Sequence, residues 1–340
     1  MKASGGMSET AIAAPAPPDA GRPRGAEWRR RLSSPAGRTT TVLLVAWAAV
    51  VAVAGADKPG FLSSGTLVAV AFGMSITGVL GIGLFPIVIS GGQVDLSIPT
   101  STSLAALCTA AVLPHGSVLA AAAGIAAGTA VGLLNGGLIV ATKVNPIVIT
   151  LGVNFAGQGF VNLVFGQRIP PPSGLRRLAL SRLAGLPATW WLMLAILVVT
   201  ALYLARTRSA AHAVAVGGNP VAARRQGIGL GRVRIATFTF MGLCAGIAGV
   251  LYTAPAQIIS PGDTTGLLFP AITAVILSGV SLQGGRGSLP VLIVAVGLLA
   301  TVPPALISVG LSPNWEQFVL GALLITAVAM DGIRGKGQPG

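Results

Sequence analysis

Val118–Val140 reads VLAAAAGIAAGTAVGLLNGGLIV and contains no charged residue. A surface helix of a soluble domain would show a polar face over such a length. About 20 predominantly apolar residues are what a helix needs to cross the hydrocarbon core of a bilayer. The rest of the chain agrees: of 340 residues, 53% are hydrophobic and 9% charged. Soluble domains carry about 25% charged residues, so lipid is the solvent for most of this chain. Long continuous apolar runs favour helices over an outer-membrane barrel, whose strands alternate over about ten residues.

Other apolar runs lie on both sides of this one: Thr41–Ala56, Leu67–Leu84, Ser97–Leu113, Ile147–Phe165, Trp190–Leu204, Ile235–Ala254, Leu268–Leu282, Leu289–Val309 and Phe318–Met330. They predict an all-α polytopic bundle of about ten spans, with both termini on the inner side. Leu84–Ser97 (LFPIVISGGQVDLS) runs from apolar through Gly91-Gly92 to polar and reads as a broken or re-entrant segment. Residues 1–38 are rich in Pro, Gly and Ala and basic at Arg29–Arg31, and read as a disordered cytoplasmic tail. The apolar, membrane-spanning region covers 39–332, and 333–340 is a short cytoplasmic tail. Thr41–Ala56, ending Ala54-Gly-Ala56, also has the form of a signal-peptide core. The many spans after it favour a start-transfer helix.

The formal net charge is +14. On a soluble domain this would point to nucleic acid. Here the basic residues concentrate between spans, where they report topology, and no nucleic-acid partner is expected. Of the 22 Lys and Arg residues, only Lys58, Arg168, Arg176, Arg177 and Arg182 fall on segments placed outside. The four arginines within 166–187 run against the positive-inside rule and need a role of their own. Cys108 and Cys244 both lie in apolar runs, and His115 and His212 are far apart, so neither a disulfide framework nor a metal site is expected. There is no phosphate-binding G-x4-G-K-[ST] loop and no G-x-S-x-G elbow, so the chain is not read as an enzyme.

Polar residues stand out against this background. Asp95 is the only acid between Lys58 and Asp263. It could cap a helix beginning at Leu96. It could also join Gln93 and Ser97 on a polar pathway, because irregular backbone at membrane depth is tolerated only inside protein or along a cavity. Asn135 sits in the opening run. Asn154, Gln158 and Asn162 share one helix face at i, i+4, i+8 and could bond neighbouring helices or line a cavity for hydroxyls. Gly124, Gly128 and Gly132 form a small-residue ladder, and Gly242 and Gly246 form another, which implies close helix packing. Residues 206–234 hold Arg206, Arg208, Arg224, Arg225, Arg232 and Arg234 and no acid, a pattern that membrane lipid headgroups would also match. Within them Pro220 opens a short helix after Gly217-Gly218-Asn219. A structured element in a loop points to docking of a cytoplasmic partner.

Four segments, in order, resemble the permease subunits of sugar-type ATP-binding-cassette (ABC) importers, the ribose, xylose and galactose permease family. They are Ser90-Gly-Gly-Gln-Val-Asp-Leu-Ser97; Gly132-Leu-Leu-Asn-Gly-Gly137 with Asn145-Pro-Ile-Val-Ile-Thr-Leu-Gly152; Ala215-Val-Gly-Gly-Asn-Pro-Val-Ala-Ala-Arg224 with Gly227-Ile228; and Ser278-Gly-Val-Ser-Leu-Gln-Gly-Gly-Arg-Gly-Ser288. The first departs from the family pattern in holding Gln93-Val94 where one residue is usual, and in continuing Ile98-Pro99. The resemblance implies a second permease subunit, identical or a paralogue, sharing one pathway for a simple sugar. Gln93, Asp95, Ser97, Asn135, Asn154 and Gln158 are the pathway candidates. It implies a separate cytoplasmic ATPase, carrying ATP and Mg²⁺, docked at Gly217, Gly218, Asn219, Pro220, Ala222, Ala223, Arg224 and Gly227; no cofactor is expected on this chain. It also implies an extracytoplasmic sugar-binding protein, with Arg168, Arg176, Arg177 and Arg182 as its docking rim. Permeases for branched-chain amino acids or nucleosides, and ion-coupled secondary transporters, are the competing readings.

Overall fold

The computed structural model describes residues 35–58, 60–91, 93–166, 173–177, 181–312 and 314–335. The chain before Pro35, the tail after Gly335, Gly92 and Arg168 therefore lie outside the described residues. The elements are α1 (Pro35–Asp57), α2 (Ser64–Ile89), α3 (Ile98–Val112), α4 (Ser117–Thr142), α5 (Pro146–Val164), α6 (Ala188–Arg206), α7 (Arg208–Gly218), α8 (Pro220–Arg225), α9 (Leu230–Thr253), α10 (Leu268–Leu277), α11 (Leu289–Ser308) and α12 (Asn314–Gly335). One short antiparallel ladder joins Arg182–Leu183 to Leu186–Pro187.

Each apolar run of the sequence falls on a helix. Seven described helices, α1, α2, α4, α5, α6, α9 and α11, are long and apolar enough to cross a membrane by length and composition. The others are shorter or less continuous. α10 has 10 residues, about 15 Å of rise against the roughly 30 Å of a hydrocarbon core. It stops where Gly279 adopts φ +78°, a left-handed turn that glycine adopts without steric cost. Two of the boundaries that differ from expectation bear on the site. α2 runs on to Ile89 with Pro86 inside it, so the break is confined to 90–97. α9 begins at Leu230, which places Arg232 and Arg234 in its first turns.

Burial sorts the helices. Buried residues make up 67% of the apolar window of α2, 61% of α9 and 56% of α11, but only 11% of α5 and 17% of α1 and α6. The first three are the centre of the bundle. Their shared core includes Val79, Leu80, Ile82, Phe85, Phe238, Met241, Leu251, Leu292 and Val296. α1 packs on α11, where the Trp47 ring covers Gly297 and its Nε1 donates to Thr301 Oγ1 at 2.9 Å.

The two glycine ladders face each other. A Cβ at Gly128 would meet the backbone of Gly242 and Gly246, and one at Gly242 would meet Gly128 and Gly132. α4 and α9 thus touch backbone to backbone, the geometry that small-residue ladders permit in lipid. α3 fills the groove beside them: Gly249 lies against Thr102 and Ala105, and Gly124 against Ala105 and Thr109.

Candidate functional site

After α2 ends, the chain leaves helical geometry through 90–97 and re-enters it at Ile98. Asp95, Ser97 and Asn135 meet there and are buried. Asp95 Oδ1 accepts the Ser97 N–H at 2.8 Å and the Ser97 hydroxyl at 2.7 Å. Asn135 Nδ2 donates to Ser97 Oγ at 2.6 Å. The N–H of Leu96 donates to Thr150 Oγ1 at 3.1 Å. Ser97 is the N-cap residue of α3 and makes no side-chain cap bond. Asp95 therefore braces the cap residue from two positions before it, instead of capping a helix that starts at Leu96. Its carboxylate still sits at the positive end of α3, where negative charge is favoured.

Asn154 joins this group from α5: Thr100 Oγ1 lies 2.8 Å from its carbonyl oxygen and 2.9 Å from its Oδ1. Gln158 lies a turn beyond, half-buried. Its backbone carbonyl accepts the Asn162 side-chain amide at 2.8 Å. Gln93 is half-buried beside Asp95. Four buried polar atoms here have no hydrogen-bond partner among the described residues: Asn135 Oδ1, Gln158 Nε2, Thr102 Oγ1 and Ser103 Oγ. The region has hydrogen-bonding capacity to spare.

The site is not at the end of the bundle. Asn135 precedes the end of α4 by two turns, about 10 Å. A second irregular segment reaches the same depth. Residues 254–267 are non-helical apart from a 3₁₀ turn at Thr265–Leu267. Ile259 of this segment packs on Ala106, Leu107, Ala110 and Val161, and Thr264 Oγ1 donates to the Pro99 carbonyl at 2.8 Å. Two breaks, one from each half of the chain, therefore meet at the start of α3. Irregular backbone inside a membrane bundle is tolerated where protein or a cavity satisfies it, and paired broken helices are a recurrent place for transport sites. The sequence reading found the first break, from its Gly-Gly-polar pattern, and missed the second.

A joint made of backbone lies below the first break. The N–H of Gly285 donates to the carbonyl of Ile89, the last residue of α2, at 2.7 Å. A Cβ at Gly217 would collide with that same carbonyl and with the N of Gly285, and one at Gly284 would collide with Gly217. Gly217 closes α7. Asn219 then caps α8, its Oδ1 accepting the Ala222 N–H at 2.9 Å. Pro220 takes the first helical position, as expected. Gly227 at φ +82° ends α8, with the Ile228 N–H on the Ala223 carbonyl at 3.1 Å, a Schellman closure. Gly217 and Ala223 are buried; Gly218, Asn219, Pro220, Ala222 and Arg224 are exposed. The α7–α8 corner thus presents a fixed, exposed tip on a buried joint. α7 itself was not anticipated; its start is marked by Thr207, whose side chain accepts the Ala210 N–H.

At the opposite ends of α3, α4 and α9, Leu175 packs with Leu113, Ala120, Val250 and Ala254. Arg176 and Arg177 beside it, and Arg182 on the short ladder, are exposed.

A family described as "Branched-chain amino acid transport system / permease component" matches residues 66–328. The ribose import permease protein RbsC of Escherichia coli strain K12 is 26% identical, covering 85% of this chain and 92% of its own length. The L-arabinose transport system permease protein AraH of the same strain is 28% identical, over 87% and 91%. The autoinducer 2 import system permease protein LsrC of Salmonella choleraesuis strain SC-B67 is 30% identical, over 82% and 81%. No solved structure gives a significant match. The chain is a multi-pass membrane permease and belongs to the family of branched-chain amino acid transport system permease components.

Proposed function

We propose that this chain forms one half of the translocation pathway of an ATP-driven importer for a simple sugar. The observation that carries the reading is the convergence of all four motif segments. The first meets the second in the Asp95–Ser97–Asn135 network, and it meets the third and fourth where Gly91, with Ile89 just before it, lies against Gly217, Gly284 and Gly285. The exposed α7–α8 tip is the docking point for a separate ATPase. The joint passes its movement to the 90–97 break, and Arg176, Arg177 and Arg182, with Arg168, face an acidic binding protein on the outside. A second permease subunit, identical or a paralogue, covers the exposed side of α5. The ten helices α1–α6 and α9–α12 alternate in direction, α3 and α10 reaching across together with the non-helical segments 90–97 and 254–267, with N- and C-termini inside a bacterial inner membrane; the arginine-rich 206–234 segment supports that orientation.

A neutral polyol fits better than an amino acid. α2, α3, α4, α5, α10 and α11 contain no Lys or Arg to pair a substrate carboxylate. The N-terminus of α3, the other place for an anion, already carries Asp95. Relatives named for ribose, arabinose and autoinducer 2 import agree with this. The test is uptake of a labelled pentose by cells expressing the permease with its ATPase and binding protein. Competition by unlabelled sugars and none by leucine is expected. Competition by leucine alone would replace the sugar reading with the amino-acid one.

A further inference from the structure

A cavity of about 530 Å³ lies away from the site described above, between α6, α7 and α9. Val199, Tyr203, Leu204, Val233, Phe240 and Leu243 are among its walls. Val199 and Tyr203 are 66% and 46% exposed, so it opens on the flank of the bundle. Two of its hydroxyls are spent on their own helices: Thr129 Oγ1 donates to the Ile125 carbonyl and Thr237 Oγ1 to that of Arg234. Aliphatic and aromatic side chains make most of the wall, and its size is in the range of small-ligand sites, about 300–1,000 Å³.

One end of the cavity is basic. Arg206 follows wall residue Tyr203 by one turn of α6. Arg208 precedes wall residue Ser209 in α7, and Arg232 precedes wall residue Ala236 by one turn of α9. All three arginines are exposed, and the 206–234 segment holds no acid to offset them. Thr239, also on the wall, stands two turns above Arg232 on the same face of α9, about 10 Å away. Its Oγ1 is buried with no partner among the described residues. An apolar slot, an unpartnered buried hydroxyl and a cationic mouth match one amphiphile: acyl chain, ester carbonyl, phosphate.

We infer that this cavity is a binding site for an anionic phospholipid, its acyl chain between α6 and α9 and its phosphate on Arg206, Arg208 and Arg232. Charge complementarity selects this occupant over a zwitterionic lipid, and basic residues near a membrane surface each contribute about fivefold in affinity for anionic headgroups.

The experiment is native mass spectrometry of the full-length permease, alone and assembled with its partner subunits. Phosphatidylglycerol and phosphatidylcholine of identical acyl chains are titrated in. The site predicts at least a tenfold preference for phosphatidylglycerol. The surface variant R206Q/R208Q/R232Q should lose that preference while keeping its melting temperature. A cavity-filling Ala236→Trp should lose both lipids; because it alters packing, its melting temperature is measured too, and the arginine variant decides if it fails to fold. Equal retention of the two lipids, or a preference that survives the triple arginine substitution, overturns the inference. So does lipid binding to the lone chain that vanishes in the assembled complex, which would assign the cavity to the second subunit.

Discussion

Ser97 accepts from Asn135 and donates to Asp95 with one hydroxyl, and its backbone N–H also serves Asp95. A buried group at such a junction is costly to strand, at about 1–3 kcal/mol per unsatisfied polar group. Asp95→Ala removes the acceptor of two bonds and should lower stability by about 2 kcal/mol, read as a melting-temperature drop in detergent. Asp95→Asn keeps an oxygen in place and should cost less. The functional counterpart follows from the proposed mechanism: Asp95→Asn should still transport and still stop when ATP is depleted, because Asp95 braces α3 and carries no coupling proton. Loss of transport in Asp95→Asn with full stability and intact ATP hydrolysis would contradict this. Asp95, Ser97 and Asn135 were legible in the sequence because each is a polar residue among apolar ones. Thr150 and Thr264 were not. Threonine in a helix ordinarily bonds its own preceding turn, so nothing in the sequence marks Thr150 as one that reaches across the bundle, and Thr264 lies in the second break, which the sequence reading missed.

Among the elements, α4 and α9 supply the sharpest contrast. Gly132 and Gly137 lie in the same helix, but a Cβ at Gly132 meets the backbone of Phe238 and Gly242, whereas one at Gly137 meets nothing within 4 Å. Gly132→Ala should destabilise the permease by about 2–3 kcal/mol, the range for overpacking. Gly137→Ala should be neutral or slightly stabilising, since alanine is the better helix former. Expression level and melting temperature read both. The joint at Gly217 gives a functional version of the same test. Gly217→Ala must push α7 away from Ile89 and Gly285, so transport should fall at least tenfold while the ATPase stays bound and hydrolyses ATP. Equal loss of transport and ATPase docking would mean that Gly217 only shapes the docking tip. Both ladders were legible as spacing. That they pair with each other was not, because the second lies about a hundred residues beyond the first and only the folded path brings α9 onto α4. α7 was hidden for a different reason: a short, Ala-rich, Arg-flanked segment reads equally as a loop.

For the whole molecule, the membrane class followed from composition, and the helix-forming runs from their length. The number of full crossings did not, because α3 and α10 are shortened by the non-helical segments 90–97 and 254–267. Orientation is directly testable. Arg224→Cys on the α7–α8 tip should react with a membrane-impermeant maleimide only from the cytoplasmic side, and Arg176→Cys only from the outside. The native thiols should stay silent, since Cys244 is buried, Cys108 partly so, and burial slows a thiol's reaction. Reaction of both introduced cysteines from one side would remove the inside placement of 206–234. The central claim is that an engine on another polypeptide drives this pathway, and uptake of labelled sugar into proteoliposomes tests it most directly. The permease is reconstituted with its ATPase, and the binding protein is added outside. Uptake that requires ATP hydrolysis and is untouched by ionophores is the predicted result. Uptake sustained by an ion gradient without ATP would contradict the account.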